Sequence, residues 1–462
     1  MIKKLLCTFI LFNTSLFAGW GTPFQVYVEN PSYSPVSGID DQGNGIVAYY
    51  WQHFQDSSAA ATQIVNGAPV NPVSYPSEEG PVLSVNIAVN GSGNATMVWE
   101  EYNGDNGTSF LRAASFLNHV WSPVSPAADQ LSDPSIENAF YNSLPGITKD
   151  SSNNSIALWN LSVNSGNDYT IGYDLLQSGT WIGENHLFTP ISDYIPISYL
   201  AGSPSGQGFA IWSDSGPYIL QGAYYNGSNW TTNLSISTDL LQDCMPAMDV
   251  SMNSSNEALI VWANQSEGGV SAILFSGGNY GSTEIVYVPA MNFSTQEIST
   301  ALNDAGNGAA AWISYNSSTI QWNLYMAFRL NGSWQTPLLL DTITEGINAQ
   351  LSAVNIGLDN NGNAYVIWER IDGNSNSQIV GCNIVKGILV PPNYVLISTD
   401  NTTSATNPSL AVNGSGQTLV SWESGPSGSA IIEAAVGSFS YAPSPPLKSR
   451  WHPNKKYIFD ST

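Results

Sequence analysis

Short runs of alternating apolar and polar residues recur along the whole chain, each introduced by a tight polar cluster. Ala95-Thr96-Met97-Val98-Trp99 and Ala364-Tyr365-Val366-Ile367-Trp368 are two of them. Their period of two and their β-branched and aromatic content predict strands. The stretch NGSGNATMVWE from Asn90 returns as NGSGQTLVSWE from Asn413. With the aromatic near its end as an anchor, the pattern recurs at Tyr49, Trp99, Trp159, Trp212, Trp262, Trp312, Trp368 and Trp422, at spacings of 50, 60, 53, 50, 50, 56 and 54.

Three further columns keep register with the anchor. Nine positions before it stands Asp40, Asn90, Asp150, Ser203, Asn253, Asn303, Asp359 or Asn413. Such side chains fold back onto the backbone two residues on and open a tight turn. Six before it stands Gly, or Asn at 153 and 256, residues that tolerate the left-handed conformation closing a hairpin. Eleven before it the residue is always small, from Gly38 to Ala411, as a crowded centre where inner strands converge requires. The anchor ring is expected to lie buried between neighbouring units.

The rest of each period supplies two more strands. In the second unit Phe110–Phe116 precedes a turn at Asn118-His119 and then Trp121; Leu324–Leu330, Asn331-Gly332-Ser333 and Trp334 repeat this in the sixth, and Trp181 and Trp230 hold the same place elsewhere. Four short strands in about fifty residues, repeated eight times, predict an all-β fold, a single β-propeller of eight four-stranded blades. The eighth unit runs into Pro443-Ser444-Pro445-Pro446 without writing a fourth strand. Gly19-Trp20-Gly21-Thr22-Pro23 resembles Ser333-Trp334-Gln335-Thr336-Pro337. The N-terminal segment is therefore expected to be the missing outer strand of blade eight, closing the ring and removing its open edges. Seven blades plus an irregular unit is the alternative, blades one and three being the least regular.

In these columns the chain resembles secreted bacterial β-propeller proteins built from D-x-x-G-N-A-x-x-x-W repeats, loosely similar to NHL-type and Asp-box (sialidase-like) propellers. The resemblance spans residues 19–442 and implies the fold. The Asp-box proper is S-x-D-x-G-x-x-W, whereas here the Gly-to-Trp spacing is longer and the turn joins the first two strands. No catalytic residue carries over from it.

Charge and the chain ends add an address. Lys3 and Lys4 precede an apolar run from Leu5 to Phe12, with a small residue at Ala18. Residues 1–18 thus read as a secretory signal peptide cut near Ala18–Gly19, the run being too short to span a bilayer. The protein is expected to be exported: secreted, periplasmic or on the cell surface. Cys7 leaves with that segment, and Cys244 and Cys382 are too far apart in sequence for a disulfide framework. Residues 19–442 hold five basic residues against 34 carboxylates, a balance of 5 − 34 = −29. Such a surface repels nucleic acid and anionic lipid and favours cations or a basic partner. Residues 443–462 read as a flexible, basic, Pro-rich tail.

Motifs of catalysis are missing. His53, His119, His186 and His452 show no zinc spacing, and neither a G-x-S-x-G elbow nor a Walker A loop is present. Arg112, Arg329 and Arg370 fall at non-equivalent places, and the oxygen-rich turns at Asp40 and Asp359 lack the spacing of an EF-hand. No metal site and no cofactor are predicted, although an acidic face offers ligands to a divalent cation. The connections after the second and fourth strands share one face and vary in length, and varied loops on a rigid scaffold are where binding sites lie. That face supplies the candidate ligand-binding residues Glu100, Glu101, Asp133, Asp193, Asp214, Asp243, Asp341, Glu369 and Glu423. The preferred function is a non-catalytic binding module for a protein or glycan. A glycan-acting hydrolase or lyase using paired carboxylates at the channel mouth and a structural envelope protein are the alternatives.

Overall fold

The computed structural model describes residues 19–27, 31–53, 56–105, 108–123, 129–132, 145–163, 168–188, 197–213, 219–231, 234–238, 247–264, 269–290, 292–344, 348–390, 392–398, 404–426 and 428–438. The signal-peptide and tail assignments, and Cys244, lie outside them. The described chain is all β, with eight antiparallel sheets following one another as the blades of a propeller. Among the described residues no helix is long and apolar enough to cross a membrane. Blade one runs outward through Ser32–Ile39, Gly45–His53, Asp56–Val65 and Ala68–Pro76. Blade eight contains Ala405–Val412, Gln417–Ser424 and Ile431–Ser438 from the C-terminal part of the chain. Its outer strand comes from the other end: Gly19 and Trp20 pair with Ser438 and Gly437, and Phe24 pairs with Ala434.

Among the described residues the outer strand is broken into two pieces in six blades, as in Val120–Trp121 and Asp129–Gln130 of blade two, and in blade four a bridge of Trp230 to Tyr225 precedes Leu234–Ser237. In blades six and eight Pro337 and Pro23 fall in the break, a place that suits a residue with no amide hydrogen to give a ladder.

The turn column behaves as its chemistry dictates. Asp40 Oδ1 accepts the N–H groups of Gln42 and Asn44 at 2.9 and 2.8 Å, and Asn303 Oδ1 those of Ala305 and Asn307 at 3.1 and 3.0 Å. Three residues on, the backbone is left-handed in every blade, at φ 84° for Gly43 and 64° for Asn256. Asn has a further use that Asp lacks. The Asn413 side-chain amide donates to the Asp40 carbonyl at 2.8 Å and that of Asn303 to the Asp359 carbonyl at 2.8 Å. Asn90 and Asn253 reach the next turn in the same way.

The anchors sit in the seams. Trp99 packs on Ile46, Ala48, Ala59, Ala61 and Tyr75 of blade one, and all eight anchors are buried. Each aromatic side chain removes about 150–250 Å² from water, a gross gain of about 4–6 kcal/mol. The small column is explained by close approach: a Cβ on Gly38 would lie 2.3 Å from Val89 Cγ2, and one on Gly357 2.3 Å from Val412 Cγ2. Inner strands have a free edge, and its N–H groups are met by the preceding blade. Asp249 Oδ2 accepts from Thr300 (2.7 Å), Ser251 Oγ from Leu302 (2.9 Å) and Ser409 Oγ from Ser37 (3.0 Å).

Candidate functional site

Five of the nine carboxylates singled out from the sequence lie among the described residues. Asp133, Asp193, Asp214 and Asp243 lie outside them. Glu369 and Glu423 each follow an anchor, so their side chains point away from it, toward the next blade. There the inner strand bulges. Ser34, Ala353 and Asn407 are left-handed at φ 47°, 51° and 53°, and the pairing skips from Tyr33 to Val36, Ser352 to Asn355 and Thr406 to Ser409. A bulge takes N–H groups out of the ladder, and the carboxylates receive them. Glu423 Oε1 accepts Ser34 N–H at 2.7 Å and Asn407 Nδ2 at 2.8 Å. Glu369 accepts Asn407 N–H at 3.4 Å and the Ser377 hydroxyl at 2.8 Å. Glu297, absent from the sequence candidates, does the same for Val354 N–H at 3.2 Å. Burial pushes the Glu297 and Glu369 carboxyls above the usual range.

Glu101 is fully buried. It accepts Trp99 Nε1 at 2.9 Å and Arg112 Nε at 3.2 Å, and it caps the N–H groups of Glu78 and Glu79. Asp341 accepts Trp368 Nε1 at 3.1 Å and pairs with Arg370 at 3.3 Å. Burial raises its pKa against the opposing pull of Arg370. Arg329 pairs with Glu284 at 2.8 Å, so each of the three arginines serves a carboxylate of its own.

Glu100 differs. It is 5% exposed, and among the described residues its carboxyl meets only hydroxyls, that of Ser84 at 3.5 Å and that of Ser109. Burial pushes its pKa up to about 7, with the Ser109 and Ser84 hydroxyls opposing. No group of three or more His, Cys, Asp or Glu among the described residues is placed to hold a metal ion.

A cleft of about 350 Å³ opens in the seam between blades three and four, on the face that carries the D-x-x-G turns. Its floor is Ile156 and Leu175; its walls carry Gln177, Ser203, Ser205 and Tyr225. Two local departures shape it. Ser203 occupies the column where every other blade has Asp or Asn. It has no amide to extend, and its hydroxyl and that of Ser205 both go to Asn256 Oδ1 at 2.6 Å. Thr148 and Gly202 reverse the usual sizes across the seam, so that a Cβ on Gly202 would meet Thr148 Cβ at 2.5 Å. The carboxylate in the wall, Asp150, is satisfied by its own turn, accepting Asn154 N–H at 2.7 Å and Asn154 Nδ2 at 2.8 Å. The neighbouring Lys149 points into the other seam, donating to Thr96 Oγ1 at 3.0 Å, and burial lowers its pKa to about 8. Sequence reasoning placed no site on this face; the lone Ser in the turn column was the signal available.

No protein-family model matches the chain, and no curated protein does. Among solved structures the chain is similar to the Hadza microbial sialidase Hz136, at 11% identity and a TM-score of 0.39, covering 63% of this chain and 66% of that one. It is similar to the intramolecular trans-sialidase from Ruminococcus gnavus at 10% identity, TM-score 0.40, over 82% and 96% of the two chains. A post-proline cleaving enzyme from Rickettsia typhi matches at 13% identity, TM-score 0.46, over 86% of this chain and 58% of that one. At these identities the likenesses concern the propeller fold alone.

Proposed function

We propose that the protein is an exported, non-catalytic binding propeller that engages a protein or glycan through the face bearing its blade-to-blade connections. The contrast between the two faces carries this reading. The turn face repeats one hydrogen-bonded design from blade to blade, as at Asp40, Asn90, Asn303 and Asn413. The opposite connections range from residues 28–31 between blades eight and one to residues 131–145 between blades two and three. Variation confined to one face of a rigid ring is the usual layout of a recognition surface. The formal charge of −24 favours a ligand with basic groups and speeds its encounter at low salt.

Four of the described candidate carboxylates, Glu101, Asp341, Glu369 and Glu423, are engaged in scaffold hydrogen bonds. Glu100, with its raised pKa and no basic or backbone N–H partner among the described hydrogen bonds, favours a second reading, a glycan-acting hydrolase with Glu100 as proton donor. The two readings separate in one experiment. The protein is incubated with a panel of chromogenic glycosides and, in parallel, immobilised and tested for retention of glycans and basic proteins. Retention without turnover is expected. Turnover that Glu100→Gln abolishes overturns the binding-module reading in favour of the hydrolase.

A further inference from the structure

We infer that the cleft between blades three and four is a binding site for a neutral, polyhydroxylated ligand of about the size of one or two sugar rings. This site lies on the face opposite the one proposed above and stands independently of that reading. Its volume, about 350 Å³, falls at the small end of the ~300–1,000 Å³ range of ligand pockets.

The hydrogen-bond inventory selects the ligand. Ser203 and Ser205 each direct their hydroxyl hydrogen to Asn256 Oδ1; the buried Ser203 oxygen already accepts Gln207 N–H at 3.3 Å, so toward a ligand the exposed Ser205 oxygen is the acceptor. Gln177 Nε2 donates to Tyr225 Oη at 3.4 Å, which leaves the tyrosine O–H as a donor and the Gln177 carbonyl as an acceptor among the groups lining the cleft. A partner that brings hydrogen-bond donors together with an acceptor within a few ångströms, as a polyol does, fits these groups. Ile156 and Leu175 beneath suit the C–H face of such a ring. A negative charge on the ligand is disfavoured. Asp150 has both oxygens engaged by Asn154, and Lys149 is turned into the neighbouring seam. An anion finds no cation in the wall, and the net charge of the chain repels it.

The residues of this seam depart from the repeat. Ser203 replaces the Asp or Asn of the other seven turns, and only here do Gly202 and Thr148 exchange sizes across the seam, with Thr148 lining the space.

The test is saturation-transfer NMR and calorimetric titration of the purified protein with glucose, galactose, mannose, N-acetylglucosamine and their disaccharides. Glucosamine and sialic acid serve as cationic and anionic arms. Ser205→Trp closes the mouth from an exposed turn position. Ser255→Trp places the same ring at the equivalent turn of blade five, and Gln177→Ala removes an exposed wall group. At least one neutral saccharide is expected to bind with a Kd tighter than about 10 mM. Ser205→Trp and Gln177→Ala are each expected to weaken it about ten-fold or more, while Ser255→Trp leaves it unchanged. Equal melting temperatures of the two Trp variants exclude unfolding as the cause, and Gln177→Ala decides the matter if they differ. The inference is overturned by no neutral saccharide binding up to about 50 mM. Binding indifferent to Ser205→Trp and Gln177→Ala, or selective binding of glucosamine or sialic acid, overturns it equally.

Discussion

Arg112 and Glu101 show how single residues are committed in this protein. The guanidinium is 5% exposed, its partner carboxylate wholly buried, and the two are 3.2 Å apart. Removing the cation strands a charge that water cannot reach, which costs about 3–5 kcal/mol. Arg112→Ala is therefore expected to lower the midpoint of chemical denaturation by that equivalent. Glu100 is the opposite case, a buried acid with no cation beside it and only hydroxyls on its carboxyl. Its folded pKa of about 7 lies above the ordinary 4.5, so folding favours the protonated form. The stabilisation is complete below about pH 4.5 and is lost as pH rises through 7, at most about 3 kcal/mol. Glu100→Gln should flatten the decline in thermal stability between pH 5 and 8; a variant as pH-dependent as the parent would refute the assignment. The letters Trp-Glu stand identically at 99–100, 368–369 and 422–423, and sequence alone gives the three glutamates one role. Glu369 and Glu423 are met across the seam by a bulge, whereas the residues of blade three that precede Gly146 lie outside the described ones. Ser34, Ala353 and Asn407 announce no such conformation by residue type, so that part of the site was illegible.

Within a blade, the columns that could be read from the sequence are those with a local cause. The turn needs an Asx acceptor and a left-handed residue within four positions, and both are written in every repeat except at Ser203. Gly362, at φ 79° with open space around its missing Cβ, is predicted to accept Asn within about 1 kcal/mol, since Asn153 and Asn256 hold that place in blades three and five. Gly357 is small for a different reason, the approach of Val412. Gly357→Val should cost about 1–3 kcal/mol or more by overpacking. Thermal denaturation of the two variants side by side separates a conformational glycine from a steric one. The role of Asn over Asp nine before the anchor escaped the sequence reading because its partner carbonyl lies one blade away. Asn413→Asp is expected to cost about 1 kcal/mol through that lost bond.

For the whole molecule, the buried acids add to one another. Asp249 is raised to about 7 and Asp174 to about 6, each by burial, and both push the stability maximum toward mildly acidic pH by the same sign as Glu100. Added salt should raise the melting temperature at pH 8 by screening the excess negative charge. The architecture was legible because each blade repeats, and because the segment after Ala18 carries the outer-strand letters that the eighth unit lacks. The seam cleft was not, since it depends on residues from two blades, Thr148 and Gly202, meeting in space. Pairing of Gly19–Trp20 and Phe24–Tyr27 with Ile431–Ser438 also imposes an order in time. Blades one to seven can each form from a continuous stretch of chain, at modest cost in loop entropy. Blade eight must wait until strands from residues 19–27 and 431–438 meet, so it is the last to be completed during synthesis and the slowest contact to recover after unfolding. Until then the strand at 431–438 has a bare edge, and the interval before the two ends meet is when the chain is most open to aggregation.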